Sequence, residues 1–425
     1  LSLSLSLSLS LSLGLSPSLS LSLACMRVVL LLLLLVCAEA MTEFSNGGGG
    51  AASHVICAGL ACLDMQLLGT TNDGAAEAIQ TFDSLSYCAG GSASMTATTL
   101  ALIAPPSCRV LAVARLGADT NGDILSGQLE AAGVDTSLVR RDADMTSLAV
   151  LPVFKSGGRG CFVNLAANDN FDADELLEQL SRVAEEQRPS VTNFHFGYPH
   201  LLKRLQGAAL AGALEKAASL FPNAIVSVDL NGVSPESHHE GVLGPALPHV
   251  DVLHLNEDEA DIVGADGGRG QGEQGSADAL EALEDLSAAR KRAVRRLHSS
   301  GVAVVLLSIG AKGSVVSVTS DAARLSRCRG RPRSWAPGSA VRVPAYRVSD
   351  GAEVNANGAG DALIGGFIFA TAWPGEEPVT AEDAGRFASM VARQRCDAGL
   401  RDAPAEKADE LMARVRRGDL PETLA

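Results

Sequence analysis

Asn193-Phe194-His195-Phe196-Gly197, a helical pattern over residues 201–220, and Ala224-Ile225-Val226-Ser227-Val228-Asp229-Leu230 follow one another directly. A short apolar run, a long helical stretch and a second short run is the mark of parallel strands joined by a helical crossover. The alternation extends both ways, with strands expected at 54–60, 109–114, 251–255 and 302–309. Helices are expected at 122–132, 173–186, 277–297, 359–372 and 381–398. Several strand runs are almost wholly apolar, as happens when helices cover both faces of a sheet. The fold class is therefore α/β, a mostly parallel sheet between helical layers.

Two segments break the rhythm, 65–86 and 147–167. Leu148-Ala149-Val150-Leu151-Pro152-Val153-Phe154, a Gly-containing turn, and Cys161-Phe162-Val163-Asn164-Leu165 read as a hairpin. Neither segment fits a βαβ unit, so both are assigned to a small β-lid able to close over a substrate. The bland alternative is a surface hairpin. Residues 265–277 and 324–339 read as loop insertions.

The chain has 425 residues, 34 Lys plus Arg against 49 Asp plus Glu, and a net charge of −15, which argues against a nucleic-acid clamp. Nine scattered cysteines without a CxxC pair favour a reducing, cytoplasmic setting over a disulfide framework or zinc module. Residues 1–45 are set apart from the fold at 46–425. They hold a Leu-Ser repeat and then Val28 to Ala38, an apolar run too short to span a bilayer. That run is either a signal or organelle-targeting segment, or an extension upstream of a start at Met41.

Gly270-Gln271-Gly272-Glu273-Gln274-Gly275 matches a dinucleotide fingerprint, yet no strand precedes it, and it is set aside. His238-His239 lacks partners at metal-ligand spacing and reads as an exposed pair. No Walker-type phosphate loop occurs.

The strongest chemistry lies in Asn355-Ala356-Asn357-Gly358-Ala359-Gly360-Asp361, followed by the apolar helix from Ala362 to Phe369. Small residues opening a helix leave amides to converge on an anion, and the macrodipole adds positive charge there. Asp361 in that turn fits a base that takes the proton of a substrate hydroxyl. The amides of Gly358, Ala359 and Gly360 would then hold the migrating phosphoryl group. An acidic residue that merely compensates the dipole is the alternative.

This segment resembles the GAGD signature of the PfkB (ribokinase-like) family of sugar and nucleoside kinases, and further signatures follow the family's order. They are Asp64 closing Gly59-Leu60-Ala61-Cys62-Leu63-Asp64, the pair Gly90-Gly91, Leu116-Gly117-Ala118-Asp119, Asn256-Glu257-Asp258-Glu259, and Ser308-Ile309-Gly310-Ala311-Lys312-Gly313. The resemblance covers about Val55 to Gly399. It implies a three-layer ribokinase-like fold with a β-lid, ATP and Mg2+ as cofactors, and pairing of two copies through the lid. Asp64 would receive sugar hydroxyls, Gly90 and Gly91 would admit the ring, and Asn164 and Asn168 would contact hydroxyls from the lid. Asn256 and Glu259 would organise magnesium through water, and Gly310 and Gly313 would border the nucleotide. Asp229 and Asn231 resemble a D-x-N strand end near the phosphates.

The departures bear on specificity. Asn355-Ala356 stands where the family carries Asp-Thr, which removes a carboxylate from the monovalent-cation site, although Asn355 keeps a carbonyl oxygen for K+. Met95 stands where many sugar kinases have Asn, so the pocket is less polar there. Three readings follow: a kinase for a primary hydroxyl of a small sugar, a nucleoside kinase, or a catalytically silent PfkB-like scaffold.

Overall fold

Eight strands form the central sheet of this computed structural model, in the order β14-β13-β12-β11-β10-β9-β1-β4. They are β1 (Ser53–Gly59), β4 (Cys108–Val113), β9 (Val191–Gly197), β10 (Ile225–Asp229), β11 (Val252–Asn256), β12 (Val304–Ser308), β13 (Ser314–Val318) and β14 (Ala340–Val343). The first six run parallel, and β13 and β14 close one edge antiparallel. The structure describes residues 53–71, 79–142, 144–155, 158–233, 239–265, 279–351, 354, 356–374, 377–397 and 405–424. The motif at 270–275, His238 and Asn355 lie outside these residues; the backbone of His239 opens a short helix, His239–Leu243.

The longer helices are α1 (Ser92–Ile103), α2 (Thr120–Ala131), α3 (Ala173–Ser181), α4 (Gly207–Leu220), α5 (Glu257–Ala265), α6 (Ala288–Ser299), α7 (Ala359–Thr371), α8 (Ala381–Cys396) and α9 (Ala408–Arg417). Side chains alternate across each strand. Val55, Cys57, Val304 and Leu306 therefore pack with α1, α7 and α8. Ile56, Phe194, Phe196 and Val228 pack under α3 to α6. The first face departs from the apolar expectation, because Asn193, His195, Ser227, Asp229 and His254 are all buried on it. The polar side chains find partners there: His195 bonds Ser227 Oγ at 2.9 Å and Ser92 Oγ at 3.1 Å, and Asn193 Nδ2 donates to the Ile368 carbonyl at 2.9 Å.

Helix α7 is buried along its length from Asp361 to Thr371, as its continuous apolar run requires. Two other helices start later than expected. Left-handed Tyr198 leads into a single turn at Pro199–Leu201, so α4 begins only at Gly207. Ser287 caps α6 by accepting the Arg290 N–H at 3.3 Å, which fixes its start at Ala288, eleven residues after the expected one. The 324–339 segment is not a loose insertion. Trp335 is buried, its Nε1 donates to the Val379 carbonyl at 2.8 Å, and its ring meets Phe367 edge-on at 6.0 Å.

A second sheet, in the order β3-β2-β7-β8, comprises β2 (Cys62–Thr70), β3 (Ser84–Gly90), β7 (Leu148–Phe154) and β8 (Phe162–Asn164). Asp64, Gln66, Ala149 and Leu151 on one face are buried, whereas Leu85, Tyr87 and Phe162 on the other are exposed. The pairing of Met65 with Tyr87 and Val150, and of Leu67 with Leu85 and Pro152, makes that outer face apolar. A short parallel pair, β5 (Arg115–Gly117) and β6 (Arg140–Asp142), completes the strands among the described residues.

Candidate active site

Parallel α/β sheets present ligand sites at the carboxyl ends of their strands. Here those ends carry Gly59, Gly197, Asp229, Asn256 and Ser308, and the start of α7 lies against them: a β-carbon built on Gly360 would fall 3.4 Å from His254 Cε1. Gly358 caps α7 with φ of 77°, a left-handed conformation that glycine adopts without strain. A side chain there would overlap Met95 Cε and fall 3.1 Å from Arg395 Nε. The Ala359 N–H turns back to the Ala356 carbonyl at 3.1 Å, so this amide of the expected anion hole has an internal partner.

Asp361, in the first turn of α7, is buried, and both carboxylate oxygens accept from the Tyr198 hydroxyl, at 2.9 and 3.0 Å. Burial raises its pKa to about 7, and the nearby Asp229 carboxylate pushes the same way; Tyr198, His254 and Arg395 pull it down. Asp229 does not face open solvent at its strand end. It bonds His254 Nδ1 at 2.6 Å, and His254 Nε2 reaches Ser308 Oγ at 3.2 Å. Burial alone would lower the His254 pKa, but the Asp229 carboxylate, with Glu259 and Asp361, more than offsets it and the net shift is upward.

Asp64 is the third residue of β2, in the lid sheet, and so lies within a strand rather than closing the preceding one. It is buried with Cys62 Sγ 3.3 Å from Oδ1. Burial raises its pKa against the opposing pull of Cys62, Asn357, Arg159 and Arg395. Gly90 packs on this carboxylate so closely that a β-carbon would overlap Oδ1, and Gly91 follows as the cap of α1. The Arg395 charge pulls down the pKa of both Asp64 and Asp361. Arg159, on the lid hairpin, donates through Nη1 to Asn357 Oδ1.

Asn256 and Glu259 form a reciprocal cap. Glu259 Oε2 accepts the Asn256 N–H at 2.9 Å, and Asn256 Oδ1 accepts the Glu259 N–H at 3.0 Å. Glu259 Oε1 accepts the Asn231 N–H at 3.1 Å, tying β10 to α5, and burial lifts the pKa of Glu259 to about 7. Gly310 and Gly313 close one turn after β12, with the Gly313 N–H on the Gly310 carbonyl at 3.0 Å. Asn168 is fully buried at the base of the lid; its Nδ2 donates to the Ala61 carbonyl at 2.9 Å and to Ser147 Oγ at 2.5 Å. That geometry makes it a clamp between lid and core, while exposed Asn164 turns its Oδ1 to the Ala166 N–H at 3.1 Å.

Tyr198, Arg159, Arg395 and His254 are site residues that the sequence reading passed over. Tyr198 carried a usable signal, since it directly follows a strand end in Phe196-Gly197-Tyr198. Arg395, in the last turn of α8, carried none.

This site, at the carboxyl edge of a helix-covered sheet and beside a β-lid, defines a class, and comparison with known proteins gives the family. The sequence profile of the pfkB family carbohydrate kinases matches residues 52–407, and the chain belongs to that family. Among solved structures, the fold is similar to ribokinase from Giardia lamblia, with a TM-score of 0.61 and 16% identity over 87% of this chain and 100% of that one. It is also similar to Arabidopsis thaliana ribokinase complexed with ribose and ATP (0.58; 20%; 86% and 99%). A nucleoside kinase from Methanocaldococcus jannaschii matches comparably (0.56; 16%; 87% and 100%). No curated protein matches the chain.

Proposed function

We propose that the chain is an ATP-dependent phosphotransferase that phosphorylates a hydroxyl, preferably a primary one, of a small sugar. The observation that carries this reading is the Asp361 carboxylate, buried in the first turn of α7 directly after Gly358-Ala359-Gly360. The acceptor hydroxyl gives its proton to Asp361 as its oxygen bonds the γ-phosphorus, and the bond to the bridging oxygen breaks to release ADP. The α7 amides and dipole offset the charge on the moving phosphoryl group. Asp64 orients the acceptor from the lid side.

The phosphates of ATP fit the α7 N-terminus, and Gly310 and Gly313 border the nucleotide. Both Glu259 oxygens accept from main-chain amides, and Glu259 serves Mg2+ through water. The apolar contact of Met95 beside Gly358 favours a second reading on the same chemistry, a nucleoside acceptor. The apolar outer face of the lid, where Phe162 is 71% exposed, is read as the surface on which two copies pair. No helix among the described residues is long and apolar enough to cross a membrane.

The test is ATP consumption with magnesium across pentoses, hexoses and nucleosides, with Asp361→Asn as control. Asp361→Asn is expected to lower turnover by about 10² or more while ATP binding persists. Full activity in that variant removes Asp361 as the base. Silence of the folded, ATP-binding wild type across the panel favours the scaffold reading.

A further inference from the structure

Three non-glycine residues among those described have positive φ, and one of them, Tyr198 (64°), hydrogen-bonds Asp361, while another, Asn231 (77°), follows the strand end beside it. Left-handed backbone at such residues is costly and persists where the surroundings impose it. The surroundings here are specific. The Tyr198 N–H is held by the Asp229 carbonyl at 2.9 Å, and the Asn231 N–H by Glu259 Oε1 at 3.1 Å. Asn231 Oδ1 accepts the Gly232 N–H at 2.8 Å, and the Asn231 side chain acts on the Tyr198 phenol, pulling its pKa down. The phenol in turn donates to both oxygens of Asp361.

We propose that Tyr198, braced by Asn231, is a positioning residue for phosphoryl transfer: it keeps Asp361 ionised and aimed at the acceptor hydroxyl. This rests on the reading of Asp361 as the base. Several groups act on that carboxylate: Cys57 from β1, Cys62 from β2, Asp229 from β10, His254 from β11 and Arg395 from α8. Burial and Asp229 favour the protonated acid, so a hydroxyl that donates to both oxygens counters them directly. Tyr198 does not compete for the substrate proton. Burial first, then the Asp361 and Asp229 charges, raise its pKa well above the ordinary value, so it remains a donor throughout the working range. As the substrate hydroxyl arrives, one oxygen of Asp361 turns to it and the other keeps the phenol.

The experiment is an infrared titration of the full chain without substrate, with the carboxyl band assigned by its loss in Asp361→Asn. Tyr198→Phe keeps the ring and the backbone demand. It is expected to move the Asp361 midpoint up by about one pH unit, a roughly tenfold change in ionised fraction below the midpoint. Asn231→Gly suits the positive φ and is expected to shift the midpoint the same way by less. It also serves should the Phe variant fail to fold. With D-ribose, D-fructose or adenosine as acceptor and magnesium-ATP, the acid limb of kcat against pH is expected to follow the same displacement, with the KM for ATP unchanged. A midpoint that stays or falls in both variants overturns the role of Tyr198. An unshifted wild-type rate profile in active Asp361→Asn instead removes the base, whatever the titration shows.

Discussion

Arg159 of the lid hairpin hydrogen-bonds through Nη1 to Oδ1 of Asn357, the residue immediately before Gly358. The contact joins the hairpin to the start of α7 directly, through one side chain. Arg159 also pulls down the pKa of the Asp64 carboxylate. Arg159→Ala is expected to raise the KM for the acceptor roughly threefold to tenfold, the range of one exposed charged hydrogen bond, with the melting temperature nearly unchanged. Initial rates at saturating ATP check this, and an unaltered KM would remove the lid contact from the binding step.

Gly90 and Asp64 are matched in shape as well as in chemistry. A β-carbon at Gly90 would overlap the Asp64 carboxylate, which is fixed on the buried face of its sheet. Gly90→Ala is expected to cost about 1–3 kcal/mol by overpacking and to reduce kcat/KM for the acceptor by about tenfold or more. The cost should shrink markedly in an Asp64→Ala background, because the overlapping atoms are gone. Denaturant midpoints of the four proteins of this cycle measure the coupling. Additive losses would show that Gly90 matters through its backbone alone.

His195 makes the fold acid-sensitive. It is fully buried between Ser92 and Ser227, and burial lowers its pKa to about 4 from an ordinary 6.5. The unfolded chain therefore binds a proton in that window that the folded chain refuses, so this contribution to stability falls as pH drops from 6.5 toward 4. The full span is worth about 3 kcal/mol. His195→Gln keeps polar atoms for both serines and removes the titration. Between pH 7 and pH 4.5 its urea midpoint should fall less than that of the wild type. Parallel curves would mean that His195 does not stay neutral in the fold.

The parallel sheet was legible because its signal is local: β9, β10, β11 and β12 each appear as a compact apolar run. The Gly358-Ala359-Gly360-Asp361 turn was legible for the same reason, since backbone and side chain of the site occur in one stretch. The reading failed where partners are distant. The run at Asn193–Gly197 gave no hint that His195 finds Ser92 and Ser227 inside the core. Arg395 belongs to the site only because α8 packs along α7, which no spacing within Arg393-Gln394-Arg395 encodes. Helix starts at Gly207 and Ala288 were missed because helical composition continues upstream, while the boundary is set by a left-handed Tyr198 in one case and the Ser287 cap in the other.

Asp229 and His254 form a buried pair directly beneath Gly360, with side chains 5% and 4% exposed. Removing one member leaves the other without its partner inside the core, which typically costs about 3–5 kcal/mol, whereas replacing both removes the charge and the penalty together. His254→Ala is therefore expected to destabilise strongly and to leave the Asp229 charge acting unopposed on Asp361, moving the acid limb of activity to higher pH. Asp229→Asn with His254→Gln should recover much of the stability. The pH sign follows from the raised His254 pKa: the pair's contribution is full below about 6.5, the ordinary histidine value, and is lost as pH rises through the higher folded value. Unfolding curves of wild type and double variant across pH 6 to 9 check this, with the wild type expected to lose more stability over the range. A wild type that gains stability relative to the double variant as pH rises would show that His254 is neutral in the folded protein and that Asp229 holds its ring by a hydrogen bond without charge.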